Sequence, residues 1–170
     1  MTLGIVGYGD IGRKTAEIAR AFGMKVITYT RSPEKVTDGT HTCTLEELLS
    51  SSDIVSLHCP LTAENEKMIN ERTLRLIKPT ALLVNTARGG LIDEYALTDA
   101  LNSGKVAFAG LDVVSTEPIR ADNPLLTAKN CIITPHMSWG SQGSRQRIMD
   151  CTVNNIRAFL NGTPENVVNP

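Results

Sequence analysis

The 170-residue chain lacks a long apolar run and an excess of charge of either sign. No stretch approaches the roughly 20 apolar residues that a bilayer-spanning helix needs, and residues 1–7 lack the basic segment that opens a signal peptide. With 17 Lys and Arg against 18 Asp and Glu, neither a membrane nor a nucleic acid is an expected partner. We therefore expect a cytoplasmic, globular protein with one domain over residues 1–170.

Cysteine pairs with the spacing of a zinc ligand set are also missing. Cys43, Cys59, Cys131 and Cys151 lie far apart and form no CxxC motif. The sequence thus predicts neither a metal site nor a disulfide framework. We expect free thiols that are mostly buried.

What the chain does have is a regular alternation of β-branched apolar runs and segments of helical period. This alternation predicts an α/β fold of the Rossmann type, in which a doubly wound parallel sheet forms the middle of three αβα layers. Strands are predicted at residues 2–6, 25–29, 53–58, 81–85, 106–112 and 131–134. Helices are predicted at residues 11–22, 45–49, 70–77, 94–102 and 142–160, and an extended tail at 166–170. The face of the first helix predicted to pack on the sheet carries Ile11, Ala16, Ile18, Ala19 and Phe22.

A GxGxxG motif occupies residues 7–12, between the first strand and the first helix. Gly7 permits the tight turn, Gly9 lets the backbone approach a pyrophosphate, and Gly12 lets helix and strand pack closely. The amides at the helix N-terminus can then bind the anion. The flanking strands and helix favour a dinucleotide site over a purely structural glycine turn.

The position that reads the ribose, at the end of the second strand, carries Thr30-Arg31-Ser32 where Asp or Glu is usual. A carboxylate would repel a 2′-phosphate, whereas these side chains can bind one through charge-assisted hydrogen bonds. The sequence therefore favours NADP over NAD. The alternative is that Arg31 stacks on the adenine, which would leave the preference weak.

Three polar residues follow strands that end at the carboxyl edge of the predicted sheet, where open α/β folds bind ligands. They are Arg88 within residues 84–90, Glu117 within 112–118, and His136 within 134–139. Each has a structural explanation when taken alone. Their joint placement favours a catalytic role.

Five motifs in order resemble the NAD(P)-binding domain of the D-isomer-specific 2-hydroxyacid dehydrogenases, which include glycerate dehydrogenases and hydroxypyruvate and glyoxylate reductases. They are the glycine motif, HCPLT at 58–62, NTARGGLID at 85–93, the segment from Asp112-Val113 to Glu117-Pro118, and Thr134-Pro135-His136. Within that family, Thr30-Arg31-Ser32 is similar to the NADP-preferring reductases, and Ser138-Trp139 to the glycerate dehydrogenase branch.

The resemblance implies a mechanism in which hydride passes between the nicotinamide and the carbonyl carbon of a small 2-oxoacid. His136, as imidazolium, would protonate the carbonyl oxygen, and Glu117 would hold the other ring nitrogen. Arg88 would bind the substrate carboxylate with its planar fork.

The resemblance also implies the cofactor contacts. The amides of Asp10 and Ile11 would bind the pyrophosphate, Cys59 and Pro60 would line the adenosine, and Asp112 would bind the carboxamide. Thr86 and Arg88 would border the nicotinamide. The other implied positions are Gly7, Tyr8, Gly9, Gly12, Thr30, Arg31, Ser32, His58, Asn65, Ala87, His136 and Ser138. Asn65 stands where the family usually has threonine.

Members of the family also carry a substrate domain, the larger part of which would precede Met1. We expect the chain to be an excised cofactor domain or the product of a truncated reading frame. It should bind cofactor and turn over little substrate, because nothing closes the cleft against water. A homodimer through residues 121–147 is expected as well.

Other functions are open to this sequence. A non-catalytic dinucleotide sensor like the family's corepressors would keep the same Arg88, Glu117 and His136. A methyltransferase would leave Arg88 and His136 without a role. A formate dehydrogenase tends to have Gln at the Glu117 position, so Glu117 favours the proton-coupled reduction of a carbonyl.

Overall fold

A seven-stranded parallel sheet organises this computed structural model, which describes residues 1–168. Its strands are β1 (Thr2–Val6), β2 (Lys25–Tyr29), β3 (His41–Thr42), β4 (Ile54–Leu57), β5 (Leu82–Asn85), β6 (Phe108–Leu111) and β7 (Cys131–Ile133). They lie in the order β3-β2-β1-β4-β5-β6-β7. The order reverses between β1 and β4, which is where doubly wound sheets open a ligand crevice.

The helices are α1 (Asp10–Ala21), α2 (Leu45–Ser51), α3 (Glu71–Leu74), α4 (Glu94–Asn102) and α5 (Gln142–Leu160). Side-chain caps fix where several of them begin. Thr44 Oγ1 accepts a hydrogen bond from the Glu47 amide at 3.1 Å, and Asp93 Oδ1 accepts one from the Ala96 amide at 3.2 Å. These are the bonds that the first amides of a helix otherwise lack.

Helices cover both faces of the sheet. Successive side chains of β1 point to opposite faces, so each face packs against a different helix. Leu3 and Ile5 belong to the same buried cluster as the α1 residue Ala16. On the other side, a Cβ at Gly4 would lie 2.6 Å from Leu48 of α2. The predicted three-layer αβα fold is confirmed.

The bounds of β1, β2, α4 and α5 are those predicted. The other predicted strands are one to three residues shorter in the structure, and β3 was not predicted. The predicted helix at 70–77 is wrong beyond Leu74, because residues 74–77 form tighter turns ahead of Pro79. The predicted tail at 166–170 lies partly outside the described residues.

The predicted buried face of α1 is confirmed at Ala16 and Ala19 and wrong at Ile11, Ile18 and Phe22. Its larger side chains are exposed, by 69% for Ile11, 59% for Ile18 and 82% for Phe22. The buried α1 residues are Gly12, Ala16 and Ala19. A Cβ at Gly12 would lie 2.3 Å from the Gly7 carbonyl oxygen. The helix thus approaches the β1 turn too closely for a large side chain.

The chain divides into two compact units, residues 1–135 and 136–170. The first holds the sheet and α1 to α4. The second holds α5, which begins at the N-cap Ser141 and has no buried residue within the described chain. The single domain over residues 1–170 stays a prediction. None of the helices in residues 1–168 has the length and apolar character needed to cross a membrane.

All four cysteines are free thiols. Cys43, Cys59 and Cys131 are half-buried, whereas Cys151 is exposed. The expectation of mostly buried thiols is therefore wrong: three are only half-buried, and Cys151 lies on α5, where no described residue is buried. Burial raises the pKa of Cys131 to about 11, so this thiol stays protonated at neutral pH.

Candidate functional site

A cleft of about 720 Å³ lies in the first unit, where the strand order reverses. Its walls are the segments that follow three neighbouring strands, namely 7–10 after β1, 30–32 after β2, and 58–60 after β4. Parallel strands bring these carboxyl ends to one edge of the sheet. The volume falls in the range of ordinary small-molecule sites.

The glycine turn has the shape that a pyrophosphate site requires. Gly7 has a φ of +94°, and a Cβ there would lie 2.6 Å from the amide nitrogen of Cys59. A side chain at this position would therefore push β1 and β4 apart. Around Gly9 no atom lies within 4 Å of the position a Cβ would take.

The open space above Gly9 faces the start of α1. Gly9 is the N-cap of this 12-residue helix, and no described side chain caps it. The helix dipole and its first amides favour an anion at that position. The residues present therefore fit the pyrophosphate of a dinucleotide.

The three predicted ribose-reading residues, Thr30, Arg31 and Ser32, all line the cleft. The Ser32 amide donates to Thr30 Oγ1 at 3.3 Å, which bends the chain directly after β2. Two further cations line the same part of the cleft, Arg13 and Lys35. Arg13 Nη2 donates to the Lys35 carbonyl oxygen at 2.7 Å.

The segment after β4 brings three predicted cofactor residues, His58, Cys59 and Pro60, to the cleft wall. His58 Nε2 lies 2.9 Å from Ser56 Oγ. Burial lowers the pKa of His58, so its ring is neutral at physiological pH. Burial also raises the pKa of the Cys59 thiol. Neither side chain supplies a charge to the cleft.

Asn65 braces this segment from within. Its Oδ1 accepts a hydrogen bond from the Thr62 amide at 2.7 Å, and its Nδ2 donates to the Pro60 carbonyl at 2.8 Å. Asn65 itself lines the cleft. The Asn65 side chain therefore shapes this wall of the cleft.

The predicted cofactor residues divide according to where they lie. On the cleft wall are Gly7, Tyr8, Gly9, Asp10, Thr30, Arg31, Ser32, His58, Cys59, Pro60 and Asn65. Elsewhere in the first unit are Ile11, Gly12, Thr86, Ala87, Arg88 and Asp112. In the second unit are His136 and Ser138.

The turn that carries Arg88 is held by a buried side chain at the end of β5. Asn85 Nδ2 donates to the Arg88 carbonyl at 2.9 Å, and Asn85 Oδ1 accepts from the Ala87 amide at 3.0 Å. Asn85 is 1% exposed, whereas Arg88 is exposed to solvent. The backbone is thus fixed, and the exposed guanidinium donates from Nη1 to the Ala87 carbonyl oxygen at 2.6 Å.

The segment that carries Glu117 packs against the same turn. A Cβ at Gly89 would lie 1.9 Å from the carbonyl carbon of Val114. Glu117 Oε1 accepts a hydrogen bond from the Val114 amide at 3.3 Å. The structure therefore brings the backbones around Arg88 and Glu117 into direct contact.

Glu94, which the sequence analysis did not single out, organises this segment from α4. Its Oε1 accepts from the Ser115 amide at 2.7 Å, and its Oε2 accepts from Asn123 Nδ2 at 2.9 Å. The partners lie 21 and 29 residues away in sequence. Only its place directly after the N-cap Asp93 could have drawn attention to it.

His136 begins the second unit in a left-handed conformation, with a φ of +51°. Its carbonyl oxygen accepts a hydrogen bond from Trp139 Nε1 at 2.8 Å. The Gly140 amide then donates to the Met137 carbonyl at 2.8 Å. These two bonds form a tight turn between His136 and the start of α5.

Comparison with known proteins decides the family. The model of the D-isomer specific 2-hydroxyacid dehydrogenase NAD binding domain matches residues 1–138. The chain belongs to this family. The resemblance stated from the five motifs is confirmed, and with it the expectation that the chain corresponds to the cofactor-binding part.

Curated D-2-hydroxyacid dehydrogenase relatives are similar along nearly the whole chain. A hydroxypyruvate reductase of Blautia hydrogenotrophica is 54% identical over 98% of this chain and 52% of its own length. A glycerate dehydrogenase of Methylorubrum extorquens is 45% identical over the same shares. The chain therefore spans about half the length of the curated relatives it matches.

Solved structures of the family superpose well. An acyclic imino acid reductase in complex with NADPH and D-Arg has a TM-score of 0.90 at 40% identity, over 98% of this chain and 53% of that one. D-lactate dehydrogenase with NAD⁺ from Lactobacillus jensenii has a TM-score of 0.89 at 32% identity, over 99% and 55%. Both nicotinamide cofactors thus occur among the relatives.

Proposed function

We propose that this chain is the cofactor-binding half of an oxidoreductase that reduces small 2-oxoacids of the hydroxypyruvate and glyoxylate type. The observation that carries the proposal is the cleft above Gly9, open at the N-terminus of α1 and lined by the segments after β1, β2 and β4. The names of the relatives, hydroxypyruvate reductase and glyoxylate reductase, support the substrate class.

The chain's own polar residues suit the reduction of a carbonyl next to a carboxylate. The bound nicotinamide would supply the hydride. Arg88 binds the substrate carboxylate and stabilises the charge that develops on the carbonyl oxygen. His136 delivers the proton to that oxygen, and Glu117 favours the charged, correctly oriented form of the ring.

We propose that the cofactor is NADP rather than NAD. The cleft has cations at Arg13, Arg31 and Lys35, and the ribose-reading segment 30–32 contains no carboxylate. A 2′-phosphate would gain charge-assisted hydrogen bonds there. Thr30, directly after β2, offers a neutral hydroxyl in place of the acid that reads a 2′-hydroxyl.

Isothermal titration of the 170-residue chain with NADPH and NADH tests both parts of this assignment. We expect saturable binding of both nucleotides, with NADPH at least tenfold tighter. Absence of binding by either nucleotide would contradict the cofactor-binding function. Tighter binding of NADH would contradict the NADP preference alone.

The isolated chain should reduce hydroxypyruvate and glyoxylate slowly or not at all. The relatives are about twice as long as this chain. Without further residues over the cleft, neither orientation of the substrate nor exclusion of water is provided. A rate close to that of a full-length relative would contradict this proposal.

We also propose a cytoplasmic homodimer formed through residues 121–147. Leu126, Met137 and Trp139 in this segment are each more than half exposed, which suits an interface. Four free thiols suit a reducing compartment. Light scattering at micromolar concentration should give twice the 18.4 kDa chain mass, and the mass of one chain would contradict the dimer.

A further inference from the structure

Four polar side chains connect the glycine turn to the far end of the β2–β3 connection, residues 30–40. Tyr8 is 5% exposed, and its hydroxyl donates to Asp38 Oδ2 at 2.7 Å. The Thr40 hydroxyl lies 2.6 Å from the Tyr8 hydroxyl and donates to Asp38 Oδ1 at 2.6 Å. Arg20 on α1 reaches all three, donating to Tyr8 Oη and Thr40 Oγ1 and pairing with Asp38 at 3.3 Å. We name these residues the Tyr8 cluster.

The Tyr8 cluster helps to fix a segment that has few apolar contacts. Between residues 31 and 39 no side chain is fully buried, and the half-buried Val36 is the hydrophobic residue of this stretch that packs against the buried cluster containing Tyr8 and Ala16. Its middle is attached by the Arg13 bond to the Lys35 carbonyl, and its far end by the Tyr8 cluster. Polar bonds to α1 and the glycine turn, together with the packing of Val36, therefore hold its conformation.

The cations and carboxylates of this segment differ in whether they line the cleft. Arg31 and Lys35 lie on the cleft wall, whereas Asp38 does not. Hydrogen bonds from Thr40 and Tyr8 hold the pKa of Asp38 well below its usual range, and Arg20 balances its charge. The cleft thus receives the cations of the segment, while its two carboxylates, Glu34 and Asp38, lie off the cleft wall and Asp38 is paired with Arg20 of α1.

We propose that the Tyr8 cluster determines cofactor specificity by holding residues 31–35 in the conformation that binds a 2′-phosphate. This inference rests on the proposed cofactor-binding function. The Tyr8 hydroxyl acts as a positioning group and not as a ligand, because it is buried and bonded to Asp38 and Thr40. A loosened segment would lose its aligned cations and release the Asp38 carboxylate near the phosphate.

Tyr8→Phe tests the proposal, because it removes one hydroxyl and keeps the buried ring. We expect the dissociation constant for NADPH to rise about tenfold, or about 1.4 kcal/mol, and that for NADH to change less than about twofold. Asp38→Asn is the second variant and should show the same selective loss. Tyr95→Phe is the matched control, since Tyr95 on α4 is 71% exposed and lies outside the cleft wall.

Titration calorimetry with NADPH and NADH, together with the melting temperature of each variant, separates the outcomes. A fall in the NADPH-to-NADH affinity ratio in both variants supports the specificity role. An unchanged ratio, including equal weakening of both nucleotides, overturns it and leaves the Tyr8 cluster as a stability element. If the unmodified chain binds neither nucleotide, the proposed cofactor-binding function is wrong. If it prefers NADH, the proposed NADP preference is wrong. Either result also overturns this inference.

Discussion

Gly89 meets Val114 with no room for even one additional carbon, since a Cβ at Gly89 would lie 1.9 Å from the Val114 carbonyl carbon. The neighbour is backbone and cannot rotate aside. The turn after β5 and the segment after β6 therefore depend on glycine at this position. They carry Arg88 and Glu117, the two residues of the first unit proposed to act on the substrate.

Gly89→Ala should destabilise the chain by about 1–3 kcal/mol, because the segments after β5 and β6 must separate to admit the methyl group. Urea unfolding followed by circular dichroism measures the change. Gly110→Ala is the control, since a Cβ there has no atom within 4 Å and should leave the stability nearly unchanged. Equal free energies of unfolding for the two variants would show that the segments after β5 and β6 can separate without loss of stability.

Gly9→Ala should have the opposite pattern, with stability kept and nucleotide binding lost. A Cβ at Gly9 meets no atom of the chain within 4 Å, and its φ of −81° suits any residue. The methyl group would occupy the space where the pyrophosphate approaches α1. We expect NADPH affinity to fall at least tenfold in calorimetry. A variant that binds as the unmodified chain does would place the pyrophosphate elsewhere.

Glu94→Ala should destabilise the chain by about 1–3 kcal/mol, because the Ser115 amide and Asn123 Nδ2 lose their acceptor. Hydrogen exchange should rise between residues 115 and 123 in particular. Glu46→Ala serves as control, since Glu46 is also a first-turn acid but forms an exposed 3.4 Å ion pair with Arg72. If hydrogen exchange in residues 115–123 is the same in Glu94→Ala and Glu46→Ala, Glu94 does not organise this segment.

Asp53 should make the free energy of unfolding depend on pH in the acidic range. Lys78 and the Thr2 amide bond its carboxylate, at 2.9 and 2.7 Å, and lower the pKa of Asp53 in the folded chain. A lowered folded-state pKa stabilises the fold above the unfolded value of about 3.9 and loses this effect as the pH falls. Asp53→Asn should therefore be less stable than the unmodified chain at pH 7, and the difference should shrink as the pH falls below about 3.9. A difference that stays constant with pH would contradict this.

Local signals predicted much of the fold and one part of the site. The bounds of β1, β2 and α4 follow from apolar runs and the Asp93 cap, which act within a few residues. Gly7 and Gly9 are recognised because the phosphate turn needs them in this spacing.

Other features depend on contacts between distant segments. Glu94 binds partners more than 20 residues away, and Tyr8 binds Asp38 at a separation of 30. Nothing in the neighbouring residues distinguishes these side chains from ordinary surface acids or a buried tyrosine. The predicted buried face of α1 is wrong at Ile11 and Ile18 for a similar reason, because the helix approaches the sheet closely at Gly12 and leaves no room there for these side chains.

The paired bonds of Asn85 to the Arg88 turn have a thermodynamic consequence for ligand capture. The backbone around Arg88 adopts its shape when the protein folds, so the carboxylate proposed to bind Arg88 would not have to order it. Association then restricts only the rotamers of an exposed arginine, at most about 2 kcal/mol of side-chain entropy. A preformed turn of this kind favours rapid exchange of small acids, because neither arrival nor departure requires the main chain to rearrange.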